Sequence, residues 1–135
     1  MMRSPSAFLG DKEVFLKPDI TDMKAEEIEK LLPPLGFFVF RLDGAGVKGK
    51  RELLAVLAAG LKFPAYFGYN WDALLDCLRS LPDFIQARGY AVIIERFDLF
   101  LKDSPAELED FRDIAETAAG FLSEKYKLPF KIITL

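Results

Sequence analysis

Three short stretches of this chain are almost wholly apolar, and the sequence between them carries the wider spacing of helices. Phe37-Phe-Val-Phe-Arg-Leu42, Tyr90-Ala-Val-Ile-Ile-Glu95 and Phe130-Lys-Ile-Ile-Thr-Leu135 are each of strand length. A strand with one wet face alternates apolar and polar residues. A run without that alternation suits a strand covered on both faces, as in a parallel sheet. Lys50–Leu61 places Leu53, Leu54, Val56, Leu57 and Leu61 on one helical stripe, with Gly60 near its end. A second helix is predicted from about Asn70 to Leu81, stopped by Pro82, and a third from about Pro105 to Tyr126, with a break near Gly120 as the alternative to one continuous helix. Parallel neighbours need long crossovers, and these helices supply them. The expectation is an α/β fold: a small three-stranded parallel sheet packed with helices and joined by right-handed connections.

The predicted division is an N-terminal extension over residues 1–36 and a domain over 37–135. In the extension, Ser4-Pro5-Ser6 is loop-like and Glu13-Val-Phe-Leu-Lys17 suits a short strand. Thr21 or Asp22 can cap a helix over roughly Met23–Leu32, which Pro33-Pro34 ends. The chain finishes inside its predicted sheet, so loss of Ile132, Ile133 and Leu135 would remove core.

Composition removes several functions. Of 135 residues 51% are apolar, 13 of them Phe, so a packed interior is expected. Net charge is −3, from 18 basic and 21 acidic residues, with no basic run. Nucleic acid and anionic membranes are therefore not the expected partners. With no histidine, a Ser-His-Asp or Cys-His site and a zinc site of the usual Cys/His type are excluded. Gly44-Ala-Gly46-Val-Lys48-Gly49-Lys50 has the spacing of neither phosphate-binding loop and reads as a strand-to-helix turn. Glu95, Arg96 and Asp98 read as solvated loop charge, with nothing joining them into a catalytic set. No cofactor or metal is expected. Without an opening signal pattern or an apolar run of spanning length, the expected location is the cytoplasm.

The informative segment is Phe63-Pro-Ala-Tyr66-Phe-Gly68-Tyr-Asn70-Trp-Asp72-Ala-Leu-Leu-Asp76-Cys-Leu-Arg-Ser-Leu81. An aromatic loop stiffened by Pro64 leads into a helix whose N-cap is Asn70. At about 100° per residue, Trp71, Leu74, Leu75, Leu78 and Leu81 share an apolar arc and Asp72 and Asp76 emerge together on the other side. Like charges on adjacent turns repel by a few tenths of a kcal/mol (~0.2–0.5), so local helix stability does not account for them. Asp72 gains from the helix dipole, and Asp76 has an ion pair with Arg79 as its ordinary reading. The pair otherwise suits a surface made for a cation. Gly68 is expected to serve a φ > 0 turn or a close approach to a partner. Tyr66 and Tyr69 read as exposed, Trp71 as core, and Cys77 as an inert buried thiol.

Pro64-x-Tyr66-x-Gly68-x-Asn70-x-Asp72-Ala73-Leu74-x-Asp76-Cys77-Leu78 resembles the signature of the barstar family, inhibitors of the secreted ribonuclease barnase, without a gap over fifteen positions. The element order from Phe37 onward resembles that fold as well. The resemblance implies a protein that occludes a ribonuclease active site, its acidic side chains standing where substrate phosphates would lie. By position Tyr66, Gly68, Asn70, Asp72 and Asp76 would carry that contact, Asp76 matching the principal hot-spot aspartate. Leu75 stands where the family has an aromatic residue, and Trp71 where it has an aliphatic one. Glu124 is the nearest candidate for a further acidic contact from the last helix. The implied partner is a barnase-like ribonuclease or related toxin. A protein-binding module with a non-nuclease partner is the alternative, using Trp71 and Leu75 as an apolar surface. A hydrolase built on Asp72 and Asp76 with a metal would lack a third ligand and a base.

Overall fold

The three apolar runs are strands of one parallel sheet, and a fourth strand joins them. A computed structural model of the chain describes residues 13–17 and 24–135. In order the elements are β1 (Phe15–Leu16), α1 (Ala25–Leu31), β2 (Phe37–Asp43), α2 (Lys50–Gly60), α3 (Trp71–Arg79), α4 (Leu81–Phe84), β3 (Gly89–Glu95), α5 (Pro105–Tyr126) and β4 (Phe130–Thr134). The sheet order is β1-β4-β3-β2, with every neighbouring pair parallel. The expected three strands are thus four. β1 lies within the stretch Glu13–Lys17 expected as a short strand, and joins the sheet by pairing Phe15 with Ile132 and Leu16 with Ile133.

Connections explain why the sheet is buried on both faces. From β2 to β3 to β4 the chain steps one way, its helices on one face; from β1 to β2 it returns, with α1 on the other. Opposite steps on opposite faces have the same hand, as parallel crossovers require. On β3, Tyr90, Val92 and Ile94 point into the larger core with Leu53, Leu54, Leu57, Leu74, Leu78, Phe111 and Leu122. Ala91 and Ile93 point the other way, against Ala25, Ile28 and Leu32. Residues read as extension therefore pack on the second face of the sheet. Each fully buried Leu or Ile contributes about 1.5–3 kcal/mol.

Local signals mostly act as read, and the details are these. α1 begins at Ala25 with Lys24 in the cap position; Thr21, Asp22 and Ser4-Pro5-Ser6 lie outside the described residues. α5 runs unbroken through Gly120. Pro82 does not stop α3, which ends at Arg79; it sits instead in the first turn of the short α4. Two of the three loop charges are paired: Glu95 Oε1 accepts from Arg41 Nε at 2.6 Å, and Arg96 Nε donates to Asp43 Oδ1 at 2.9 Å. Among the described residues no helix is long and apolar enough to cross a membrane.

Arg41 fastens α1 to the sheet. Besides Glu95, it donates to Glu29 at 3.2 Å and Glu26 at 3.0 Å, both on α1. These bonds, that to Glu95 first, raise its pKa above the ordinary guanidinium value. The Glu26 carboxyl lies below its ordinary value, held there by a backbone N–H and then by the Arg41 charge. Asp43 is lowered by its bond from Arg96, then by the Ala45 N–H.

Two outcomes are expected. Glu26 and Asp43 bind protons more weakly in the folded chain than in the unfolded one. The stability they supply is complete above their ordinary values of 4.5 and 3.8, and is lost as pH falls through the lower folded values. Urea unfolding from neutral pH into that acid range should show a falling midpoint, with a shallower fall for Glu26→Gln; equal slopes would detach Glu26 from acid stability. Separately, a Cβ on Gly60 would lie 2.2 Å from the Phe40 ring. Gly60→Ala should then lose about 1–3 kcal/mol to overpacking, less up to ~1 kcal/mol of helix propensity, and melt at lower temperature.

Candidate partner-binding site

α3 is oriented by the residues it buries. Leu74, Cys77 and Leu78 are fully enclosed, while Trp71, Ala73 and Leu75 pack half-buried against the same core. Only Asp72 and Asp76 of this helix are exposed. The apolar arc read from the sequence is thus the buried one, and it leaves the two carboxylates a turn apart in solvent.

Asn70 starts the helix as expected. Its Oδ1 accepts from the Ala73 N–H at 2.8 Å, satisfying one of the free amides of the first turn. Its Nδ2 turns back toward the Gly68 carbonyl at 3.4 Å. Gly68 itself does not supply the positive φ; Tyr69 does, at 51°. A Cβ on Gly68 would sit 3.3 Å from Asn70 Nδ2, so the glycine makes room for the folded-back cap. The left-handed Tyr69 is held by its ring, 4.7 Å from that of Phe67, which stacks in turn 5.0 Å from Phe63. Phe67 is buried and its N–H donates to the Pro64 carbonyl at 3.0 Å. The loop is therefore rooted in the core through its phenylalanines while Tyr66 and Tyr69 stay outside, 74% and 59% exposed. Such a residue in the left-handed region costs about 1–3 kcal/mol and persists only where its surroundings enforce it.

Neither aspartate is paired with any described residue. Arg79, the ordinary partner expected for Asp76, lies instead over Phe121 of α5, 5.4 Å from the ring centroid, with its Nε buried and unbonded. Burial, and then the Asp76 charge, push the Cys77 thiol pKa up, which makes it a poor nucleophile. Trp71 belongs to the core edge, with Lys50 Nζ 5.1 Å above its ring. Among the described residues no group of three or more Cys, Asp or Glu side chains is placed to hold a metal ion.

Tyr66, Gly68, Asn70, Asp72 and Asp76 thus share one continuous exposed strip running from the loop along α3. Leu75 borders it with half its surface covered. Glu124 is exposed near the end of α5, the helix that packs against α3. It stands three residues after Phe121, the ring over which Arg79 of α3 lies. Tyr69, outside the core set carried over by position, is one of the two most open large side chains. Its place beside a glycine was the signal. The surface is acidic and aromatic.

Asn70→Ala removes the cap and should lower the unfolding free energy by about 1 kcal/mol without changing the denaturant slope. A loss below about 0.3 kcal/mol would show that Asn70 is not the residue that starts α3.

The family model described as Barstar (barnase inhibitor) matches residues 37–134. No curated protein matches the chain.

Proposed function

This chain belongs to the barstar family, and on that premise we propose that it inhibits a small basic ribonuclease by laying the Tyr66–Asp76 strip into its active site. The observation that carries this reading is the pair of unpaired, outward carboxylates on a helix whose other side is locked in the core. A ribonuclease cleft collects Arg and Lys to stabilise the charge that develops on phosphorus. A carboxylate held on a rigid helix offers those cations bidentate bonds and loses little entropy on binding. Tyr66 and Tyr69 add large rigid surfaces beside the charge, the side-chain type that anchors interfaces. Asp72 and Asp76 are accordingly the phosphate mimics, Asp76 the central one, with Gly68 and Asn70 shaping the approach of the backbone. Glu124 supplies the outlying acid from α5, and Leu75 an apolar margin. The protein performs no reaction of its own, and it acts where such a nuclease must be kept silent, in the cytoplasm.

A module with a non-nuclease partner would use Trp71 and Leu75 as an apolar surface. Both are half-buried against the core, which leaves that surface small beside the acidic one. The acids favour a basic cleft.

Titration into a barnase-class ribonuclease tests the proposal. Wild type should abolish cleavage, and Asp76→Ala should bind more weakly by at least about tenfold, ~1.4 kcal/mol. Association should also slow as salt is raised, because opposite charges steer the encounter. Full inhibition by the mutant, or an on-rate indifferent to salt, would remove charge mimicry as the mechanism.

A further inference from the structure

Positive charge stands close to the acidic strip, yet it rests on aromatic rings. Lys50 Nζ lies 5.1 Å from the ring centroid of Trp71, the residue before Asp72. Arg79 follows Asp76 by three residues on α3, and its guanidinium lies 5.4 Å from the Phe121 ring centroid. Lys125, the residue after Glu124, has its Nζ 5.4 Å from that same ring and 5.3 Å from Tyr126. The Phe121 and Tyr126 rings meet edge to face, 6.2 Å apart. Neither Asp76 nor Glu124 forms an ion pair with a described residue. At each of these three cations a ring fills the place that a neighbouring carboxylate would otherwise take.

Arg79 is the cation that matters most. Residues three apart on a helix are neighbours, so the guanidinium can reach the Asp76 carboxylate in another rotamer. An exposed pair of that spacing is weak, and a cation over a ring gains more once it is partly removed from water. Arg79 is half-buried, and its Nε is enclosed without an acceptor. Packing against the ring, rather than a hydrogen bond, therefore keeps it in place. Phe121 is itself half-buried at the edge of the core, one face of α5 toward α3. We propose that Phe121 is a positioning residue of the inhibitory surface: its ring holds Arg79 away from Asp76 and leaves that carboxylate free for a cationic partner. The inference rests on the proposed inhibition through Asp76. Without the ring, Arg79 would fold back along its own helix, and a partner would have to break the resulting pair before binding.

A double-mutant cycle on the full chain, read as inhibition constants against a barnase-class ribonuclease, separates positioning from packing. Phe121→Leu keeps an apolar side chain and removes the ring, and should weaken inhibition by about fivefold. Arg79→Gln alone should leave inhibition unchanged or slightly tighter, because it removes a positive charge that repels a basic partner. Added to Phe121→Leu, the same change should restore inhibition to the wild-type level. Loosened packing or general steering predicts instead an equal effect of Arg79→Gln in both backgrounds. Phe121→Tyr retains the ring and should inhibit as wild type does. Absence of weakening in Phe121→Leu, or of rescue by Arg79→Gln, overturns the proposal. The Arg79 Nε–H resonance gives a second reading that needs no partner. Asp76→Asn should displace it further in the Phe121→Leu background than in wild type; equal displacement in both overturns the positioning role. If wild type inhibits no enzyme of that class, the proposed function falls, and the resonance alone decides whether Phe121 keeps Arg79 off Asp76.

Discussion

Burial of Leu74, Cys77 and Leu78 is the constraint from which the site follows. A helix has one rotation about its axis, and three enclosed side chains fix it. Asp72 and Asp76 then have nowhere to point but outward, a turn apart. Turning either carboxylate inward would drag leucines into water, at about 1.5–3 kcal/mol each. The electrostatic surface is thus held by apolar packing, and no network of ion pairs is needed to aim it. Arg79 completes the arrangement by turning away: stacked over Phe121, it leaves Asp76 with no described partner to neutralise it.

The loop ahead of α3 applies the same division of labour. Phe63 and Phe67 pack inward and carry the weight of the segment, while Tyr66 and Tyr69 stay in solvent. Alternation of anchored and free aromatic rings lets a short loop be rigid without being buried. The left-handed backbone at Tyr69 is the local cost, and its ring contact with Phe67 is what holds it. A pre-ordered loop gives up little freedom when a partner arrives, so more of the contact energy appears as affinity.

Much of this was legible in sequence because it depends on near neighbours. The rotation of α3 follows from residue spacing alone, and Asn70 declares itself as a cap by type and position. The strands β2, β3 and β4 are uniform apolar runs, and such runs have few other uses. What stayed hidden was non-local. Glu13–Lys17 is legible as a short strand, but the place of β1 beside Ile132 and Ile133 is a property of the finished sheet. Glu107 caps α2 from 57 residues away, which no window on the chain can display. The positive φ expected at Gly68 falls on Tyr69, while the glycine leaves room for the folded-back Asn70 amide, a detail of side-chain geometry.

The N-terminal segment, read as an extension, carries a structural dependence of the domain that follows it. The family match begins at residue 37, yet Ala25, Ile28 and Leu32 seal Ala91, Ile93 and Ile133 on the second face of the sheet. β4 is buried throughout and β3 as far as Ile94, and a strand enclosed on both sides requires a cover on both. α1 is that cover, and Arg41 fastens it with three carboxylates from two elements. The acidic strip is tied through α3 to the opposite face of this sheet. Whatever loosens α1 therefore weakens the platform beneath Asp72 and Asp76 without touching either one. Stability and the acidic surface are coupled through the sheet, so any change in what that surface does is assigned to a surface residue only when the unfolding midpoint has been shown not to move.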